Sequence, residues 1–159
     1  MPGLKIFDSN IWLHGCLFRD SDPAEMVDSA AEGELEVRVS PYVFNEVYHR
    51  LRNPKGRYHS EDIQEATERF TDVVVHSKSV HAPSQQEVED LDVGEQMRKP
   101  ASRLVSALLD IQSKDAPVLI DAWGCDRRAD IYTCDREFAT CDLSEFGIGH
   151  LQIHHVNPP

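Results

Sequence analysis

The sequence predicts an α/β protein with one mainly parallel sheet of about four to five strands and helices on both faces. Three observations support this fold class. Short apolar runs alternate with helix signals along the chain, and the stretches between successive runs are long enough to hold crossover helices. The length of 159 residues and the hydrophobic content of 40% suit one core rather than two. We therefore expect a single domain over residues 1–159.

The first half of the chain begins with a predicted strand from Leu4 to Phe7, and Asp8 follows where the chain turns into a helix. Asp22 and Pro23 are typical of a helix start, and Gly33 is typical of a helix end. The elements predicted next are a strand over 35–39, a helix from Ser40 and Pro41 to the break at 53–56, a helix from Ser60 to about Phe70, and a strand over 73–76.

The second half contains more helix signals than strand signals. Ser84 with Glu87 three residues later predicts a capping box and a helix from about 85 to 97. Pro100 begins the next helix, whose core stripe is expected to consist of Leu104, Leu108 and Ile111. A further helix starts near Asp115 with Pro117 in its first turn. The last predicted strands are 131–133 and 151–155.

The charge balance of the chain is strongly acidic. The 28 Asp and Glu residues against 16 Lys and Arg leave a net charge of -12. This charge argues against a protein that coats nucleic acid or an anionic membrane through a general basic surface. A phosphate-bearing partner would have to be held locally. The acid excess is similar to that of haloarchaeal-type proteins, whose carboxylates keep the chain hydrated in concentrated salt.

The N-terminus has no signal-like segment, and no apolar run approaches the roughly 18 residues of a spanning helix. We therefore expect a cytoplasmic protein with no membrane partner. The cysteines contain no CxxC pair and are expected to be unbridged thiols: Cys16, Cys125, Cys134 and Cys141.

Four carboxylates are predicted to converge at the carboxyl ends of the strands. Asp8 follows the first strand, and Glu46 lies in the helix after the second. Asp115 starts the helix before the 131–133 strand, and Asp135 follows that strand. Ligands collect at this edge of such sheets, where the strand order reverses. Clustered carboxylate oxygens suit Mg²⁺ or Mn²⁺, which activate water and stabilise charge on a transferred phosphoryl group.

Four segments carry a family resemblance: KIFDSNIW at 5–12, SPYVFNEVYHRL at 40–51, KDAPVLIDA at 114–122 and IYTCDREF at 131–138. In order and spacing they resemble the PIN-domain family of metal-dependent ribonucleases, which includes the VapC-type toxins. The resemblance implies a single PIN-like nuclease domain in which the four acids are catalytic and hold Mg²⁺ or Mn²⁺. Asn10 and Thr133 match supporting polar positions of the family. The resemblance also implies an RNA substrate, a homodimer and, for a toxin, a small antitoxin protein as partner.

The third acid has an alternative, because Asp121 competes with Asp115 for that position. The two are six helical positions apart, or about 120° around the helix, so they cannot easily face the same site. Asp115 is preferred because it begins the helix and heads the Asp-Ala-Pro match.

The segment 49–59, HRLRNPKGRYH, contains four cationic residues, a tyrosine and no acid. One interpretation is an exposed loop that balances an acidic surface. The other is a substrate-binding strip in which the tyrosine stacks on an unpaired base and the cations contact phosphates. The residues of this basic strip are Arg50, Arg52, Lys55, Arg57 and Tyr58.

The leading hypothesis is a metal-dependent endoribonuclease. One alternative is a catalytically inactive RNA- or protein-binding module of the same fold, which the four acids disfavour. Another is a phosphatase with Asp8 as aspartyl nucleophile, disfavoured because Asn10 stands where that chemistry usually needs a second acid. Ordinary structural roles also exist, since Asp8 and Asn10 could cap a helix and Asp135 could stabilise a turn.

Overall fold

The central sheet sets the position of every other element. The computed structural model of the protein describes residues 3–125, 127–144 and 147–159. This described part contains one five-stranded sheet in the order β3-β2-β1-β4-β5, with every neighbouring pair parallel. The strands are β1 (Leu4–Phe7), β2 (Val37–Arg38), β3 (Val80–His81), β4 (Ala129–Thr133) and β5 (Leu151–His155). Helices flank this sheet, and the predicted fold class is confirmed.

The strand order reverses between β1 and β4. From β1 the chain adds β2 and then β3 on one side, and afterwards returns to add β4 and β5 on the other. Phe7 and Tyr132 are register partners at the ends of β1 and β4. In a parallel sheet the crevice outside these two carboxyl ends is the switch point where ligands bind.

The helices of the described residues are α1 (Ser9–Leu17), α2 (Asp22–Ala31), α3 (Pro41–Arg52), α4 (Ser60–His76), α5 (Gln85–Glu89), α6 (Val93–Arg98), α7 (Pro100–Leu109), α8 (Ala116–Trp123) and α9 (Arg136–Ala139). Local sequence explains most of their starts. Ser21 caps α2 and Ser40 caps α3, each followed within two residues by proline. The capping box of Ser84 and Glu87 is present at α5.

Helix α1 lies at the centre of the core. Its Trp12 is fully buried, with ring centroids 5.3 Å from Phe7 and 5.5 Å from Phe70. Gly15 allows α2 to approach closely, since a Cβ there would lie 2.6 Å from a methyl group of Val27. The residue that leads into α1 is Asp8, so this packing fixes the position of its carboxylate.

Two predicted elements between residues 60 and 98 are wrong. The run 73–76, predicted as a strand, is the last turn of α4, where Val73 and Val74 face the core. A four-residue β-branched run fits a buried helix face as well as a strand. The helix predicted from about 85 to 97 is divided into α5 and α6, because Asp92 caps a new helix by accepting from the backbone N–H of Glu95.

The predicted core stripe of α7 is also wrong for Leu104 and Leu108, which are 60% and 57% exposed. The buried position is Ser102, whose hydroxyl donates to the Gln96 carbonyl at 2.6 Å. This bond turns residues 102, 105 and 109 inward, and Val105 and Leu109 are partly buried against the core. Ile111 lies beyond the end of α7 and is partly buried.

Candidate active site

Two of the predicted acids lie at the carboxyl ends of β1 and β4. Asp8 directly follows β1 and caps α1, accepting the backbone N–H of Ser9 at 2.8 Å. Asp135 follows β4 and caps α9, accepting the backbone N–H groups of Glu137 and Phe138. The ordinary cap role is therefore real for both acids, and it holds each carboxylate at the switch point.

A side-chain network joins the ends of these two strands. The Thr133 hydroxyl donates to Oδ2 of Asp8 at 2.8 Å and accepts the backbone N–H of Asp135 at 3.0 Å. Asn10 donates from Nδ2 to Thr133 at 3.3 Å and to Asp8 at 3.4 Å, while its Oδ1 accepts the backbone N–H of Cys134 at 3.0 Å. Thr133 and Asn10 thus hold Asp8 in one orientation.

Asp115 precedes α8 and is 4% exposed, and its side chain does not cap that helix. Burial is the main reason why the pKa of this carboxyl is raised to about 7. The negative charge of Asp8 raises it further, and Asp135 and Glu46 add to the effect, whereas Lys114 opposes it. The third acid therefore lies within electrostatic range of the other three.

Asp8 is 5% exposed and shows the same behaviour. Burial raises the pKa of Asp8 to about 6, and the charge of Glu46 contributes in the same direction. The hydrogen bonds from Thr133 and Ser9 stabilise the carboxylate and lower the pKa. Two buried acids with raised pKa values are typical of a functional site that binds a cation or a proton.

Glu46 on α3 completes the group. Its side chain is half-buried, and the guanidinium of Arg50 lies 3.7 Å from its Oε1 one turn later on the same helix. This distance makes a weak ion pair, so a substantial part of the Glu46 charge still acts on Asp8 and Asp115. We call Asp8, Glu46, Asp115 and Asp135 the acidic cluster.

The acidic cluster fits a hard divalent cation in donor type and in charge. Carboxylate oxygens are the ligands that Mg²⁺ and Mn²⁺ prefer, and a cation would offset the burial and the charges of neighbouring acids that together raise the pKa values of Asp8 and Asp115. As placed, no three His, Cys, Asp or Glu side chains of the described residues are close enough together to hold one ion. Mg²⁺ is usually bound by only one or two protein carboxylates and fills its remaining positions with water and substrate phosphates, so fewer than three clustered side chains still suit it.

Asp121, the alternative third acid, is engaged elsewhere. Both of its oxygens accept hydrogen bonds from Arg38, at distances from 2.8 to 3.2 Å. The charge of Asp121 is therefore compensated by a bidentate ion pair with Arg38. The Asp115 carboxyl lacks such a partner among the ion pairs of the described residues. The geometry favours Asp115 over Asp121.

One neighbour of the cluster, Tyr42, was not predicted from the sequence. Tyr42 is buried on α3 and donates its hydroxyl to the Lys114 carbonyl at 2.9 Å. Burial and the charges of Glu46, Asp115 and Asp8 raise the pKa of the Tyr42 phenol well above its usual range. The signal was available, because Tyr42 lies four residues before Glu46 and therefore on the same face of α3. Its hydrogen bond fixes the start of α8, and with it Asp115, against α3.

The basic strip is divided by the structure. Arg52 donates to the Tyr48 hydroxyl at 2.7 Å and covers the Tyr48 ring. Arg57 is exposed in the loop after α3. Arg50, Lys55 and Tyr58 line a common pocket.

Comparison with models of protein families gave a match to a known domain. A family model described as PIN domain matches residues 5–98, which is more than half of the chain and includes Asp8, Asn10 and Glu46. Asp115, Thr133 and Asp135 lie beyond the matched region. Neither the curated proteins nor the solved structures gave a significant match to the chain. No helix in the described part of the chain has both the length and the apolar character needed to cross a membrane.

Proposed function

The chain belongs to the PIN domain family, and on that premise we propose that it is an endoribonuclease dependent on Mg²⁺ or Mn²⁺. Members of this family are generally nucleases. The observation that carries the proposal for this chain is the pair Asp8 and Asp115: both are buried, and each pKa is raised partly by the charge of other acids in the cluster. Burying carboxylates that repel one another lowers the stability of the protein. A bound cation would compensate for this loss, so the arrangement supports a cation site.

The four acids share one task in this proposal, and neighbouring residues support them. Asp8, Glu46, Asp115 and Asp135 would hold one or two ions, which when bound supply an activated water and stabilise charge on the scissile phosphate. Thr133 and Asn10 orient Asp8 through the hydrogen bonds described above. In the metal-free protein burial is the main reason why the pKa of Asp115 is raised to about 7, so cation binding at this carboxyl should release a proton around neutral pH.

Substrate binding is proposed to be local. The chain carries a net charge of -12, so RNA would be held by the basic strip and the metal site rather than by a general electrostatic surface. Arg50, Lys55, Arg57 and Tyr58 are available for this task, while Arg52 is engaged by Tyr48.

The alternative activities have weaker support. An aspartyl-nucleophile phosphatase needs a second acid near Asp8, and the side chain two residues later is Asn10, which donates to Asp8 as an amide. An inactive RNA- or protein-binding module would keep the repulsion between Asp8 and Asp115 without the cation that relieves it.

We extend the proposal to a VapC-like toxin that acts in the cytoplasm as a homodimer and is paired with a small antitoxin. We further propose that residues 1–159 form one nuclease domain, because β4 and β5 lie beyond the matched region yet join the same sheet through β1. The acid excess supports a haloarchaeal-type protein. Growth arrest on expression, and its relief by a small neighbouring reading frame, would test the toxin role.

The central experiment is incubation of the purified protein with a pool of cellular RNAs, with Mn²⁺ or with EDTA, followed by mapping of the cut ends. We expect cleavage that chelation abolishes and that falls by orders of magnitude for Asp8→Asn. Calorimetry with Mn²⁺ on wild type and Asp135→Ala gives an independent measure, since the substitution should remove metal binding. Cleavage in EDTA, or an Asp8→Asn protein with normal metal-dependent activity, would overturn the proposal.

A further inference from the structure

A pocket of about 220 Å³ opens between α1, α3, α4 and the loop that follows α3. Its apolar wall includes Leu13 and Leu17, and its polar lining includes His14, Arg50, Lys55 and Tyr58. Pockets for drug-sized ligands start at about 300 Å³, so this one suits a single ring system.

The charge of the pocket is opposite to that of the chain as a whole. Its lining among the described residues contains two cations, Arg50 and Lys55, and no carboxylate. In a protein with 28 acids and 16 Lys and Arg, such a lining selects a ligand that carries negative charge at its edge.

Aromatic rings form one side of the pocket. Tyr58 is 39% exposed, and its ring centroid lies 6.2 Å from that of Phe18, which in turn lies 5.9 Å from the His14 ring. Gly56 has φ +126°, and a Cβ at this position would lie 3.2 Å from the Tyr58 ring. Only glycine therefore allows the loop to turn back beneath Tyr58. This turn positions the Tyr58 ring at the pocket mouth.

His14 adds a neutral polar group. Burial lowers the pKa of its imidazole, and the nearby charge of Arg50 lowers it further, so the ring is uncharged at neutral pH. Its Nδ1 is buried without a hydrogen-bond partner among the described residues. An uncharged ring in the pocket lining suits contact with a flat heterocycle better than an imidazolium would.

Arg50 connects this pocket to the acidic cluster. Its guanidinium lines the pocket and also lies 3.7 Å from Glu46. A ligand in the pocket would therefore share Arg50 with Glu46 of the acidic cluster.

We propose that this pocket binds one unpaired base of the RNA strand, stacked on Tyr58, while Arg50 and Lys55 contact the adjoining phosphates. The base so bound selects which phosphodiester lies over the acidic cluster. This inference rests on the proposed ribonuclease function and names the feature of the substrate that the site recognises. Aromatic stacking, cationic phosphate contacts and an apolar floor are the combination that single-stranded RNA sites use.

The test measures binding without cleavage. Fluorescent homopolymer octamers of A, C, G and U are titrated in EDTA against wild type, Tyr58→Leu, Tyr58→Phe and Arg57→Ala. We expect wild type to prefer one base, Tyr58→Leu to bind that octamer about tenfold more weakly and without preference, and Tyr58→Phe to keep both affinity and preference. Arg57→Ala alters the charge of the same loop outside the pocket, and should weaken all four octamers alike.

Two further outcomes separate the pocket from the chemistry. An octamer with one abasic position should lose the affinity that Tyr58→Leu loses, and equal binding of abasic and intact octamers would overturn the pocket. Unchanged cleavage positions in a metal-dependent Tyr58→Leu protein would overturn it as well, while leaving the nuclease proposal intact. Tyr58-dependent base preference in a protein that cleaves no RNA would support the pocket and contradict the nuclease.

Discussion

The Thr133 hydroxyl donates a 2.8 Å hydrogen bond to the Asp8 carboxylate, joining two strand ends that are 125 residues apart in sequence. Both side chains are buried, so this bond has little competition from water. It opposes the effects of burial and of Glu46 on the pKa of Asp8. Thr133 therefore controls both the orientation and the charge of the first acid.

Replacing Thr133 by valine removes this donor while keeping a branched side chain. The pKa of Asp8 should rise further above about 6, because a hydrogen bond to a carboxylate contributes about 1.5–3 kcal/mol. The acid limb of the pH profile of RNA cleavage should shift upward by about one pH unit or more. Thr133→Ser keeps the hydroxyl and serves as the control. An unshifted profile for the valine variant would show that the bond does not tune Asp8.

The raised pKa values of Asp8 and Asp115 predict how stability of the metal-free protein depends on pH. Both folded values, about 6 and about 7, exceed the ordinary value of 3.8. Between about pH 4 and pH 7 the folded state binds more protons at these sites than the unfolded chain does. Their contribution to stability is therefore fully present below about pH 4 and is lost as the pH rises through the folded values.

Asp115→Asn isolates this effect. In EDTA at about pH 7.5 the variant should be more stable than wild type by on the order of 1–3 kcal/mol, and the difference should shrink by about pH 5. Urea denaturation at the two pH values measures it. Mn²⁺ at the higher pH should stabilise wild type more than the variant. A difference that does not change with pH would contradict the assignment of the raised pKa to Asp115.

Most of the fold was predictable because its signals are local. The strand at Leu4–Phe7, the helix starts at Pro41 and Pro100, and the capping box at Ser84 follow from periodicity and cap chemistry within a few residues. Local signals do not decide between helix and strand for residues 73–76, because a short β-branched run shows neither period clearly. Tertiary packing against the core decided in favour of a helix.

The rest depends on contacts that hydrophobic periodicity and cap signals do not reveal. The rotation of α7 is set by Ser102 and its bond to Gln96, which buries a serine and exposes Leu104. At the site, the acids and their supporting residues follow from motif matches. The link between Tyr42 and Lys114 needs the spatial meeting of α3 with α8, and spacing along the chain does not reveal it.

The two candidates for the third acid lead to opposite results in one pair of variants. Asp115→Asn should lower kcat/KM for RNA cleavage by about two orders of magnitude or more, because it removes a carboxylate from the acidic cluster. Asp121→Asn should retain activity and lose at most about 1 kcal/mol of stability, since Asp121 forms a partly exposed pair with Arg38. Initial rates and urea midpoints on both proteins give the comparison. The reverse pattern of activities would move the third acid to Asp121.

Gly15 allows α1 and α2 to pack closely, and Gly15→Ala tests that packing. A Cβ would lie 2.6 Å from Cγ2 of Val27 and 2.7 Å from the carbonyl oxygen of Pro23, which is backbone and cannot rotate away. Alanine favours a helix over glycine by about 1 kcal/mol, yet overpacking costs typically 1–3 kcal/mol, so the net change should destabilise. Urea denaturation should show a lower midpoint than wild type, while Gly149→Ala, with nothing within 4 Å of the added Cβ, should leave it unchanged. If Gly15→Ala is as stable as wild type, the two helices are farther apart than this packing requires, and the position of Asp8 at the head of α1 is less tightly fixed.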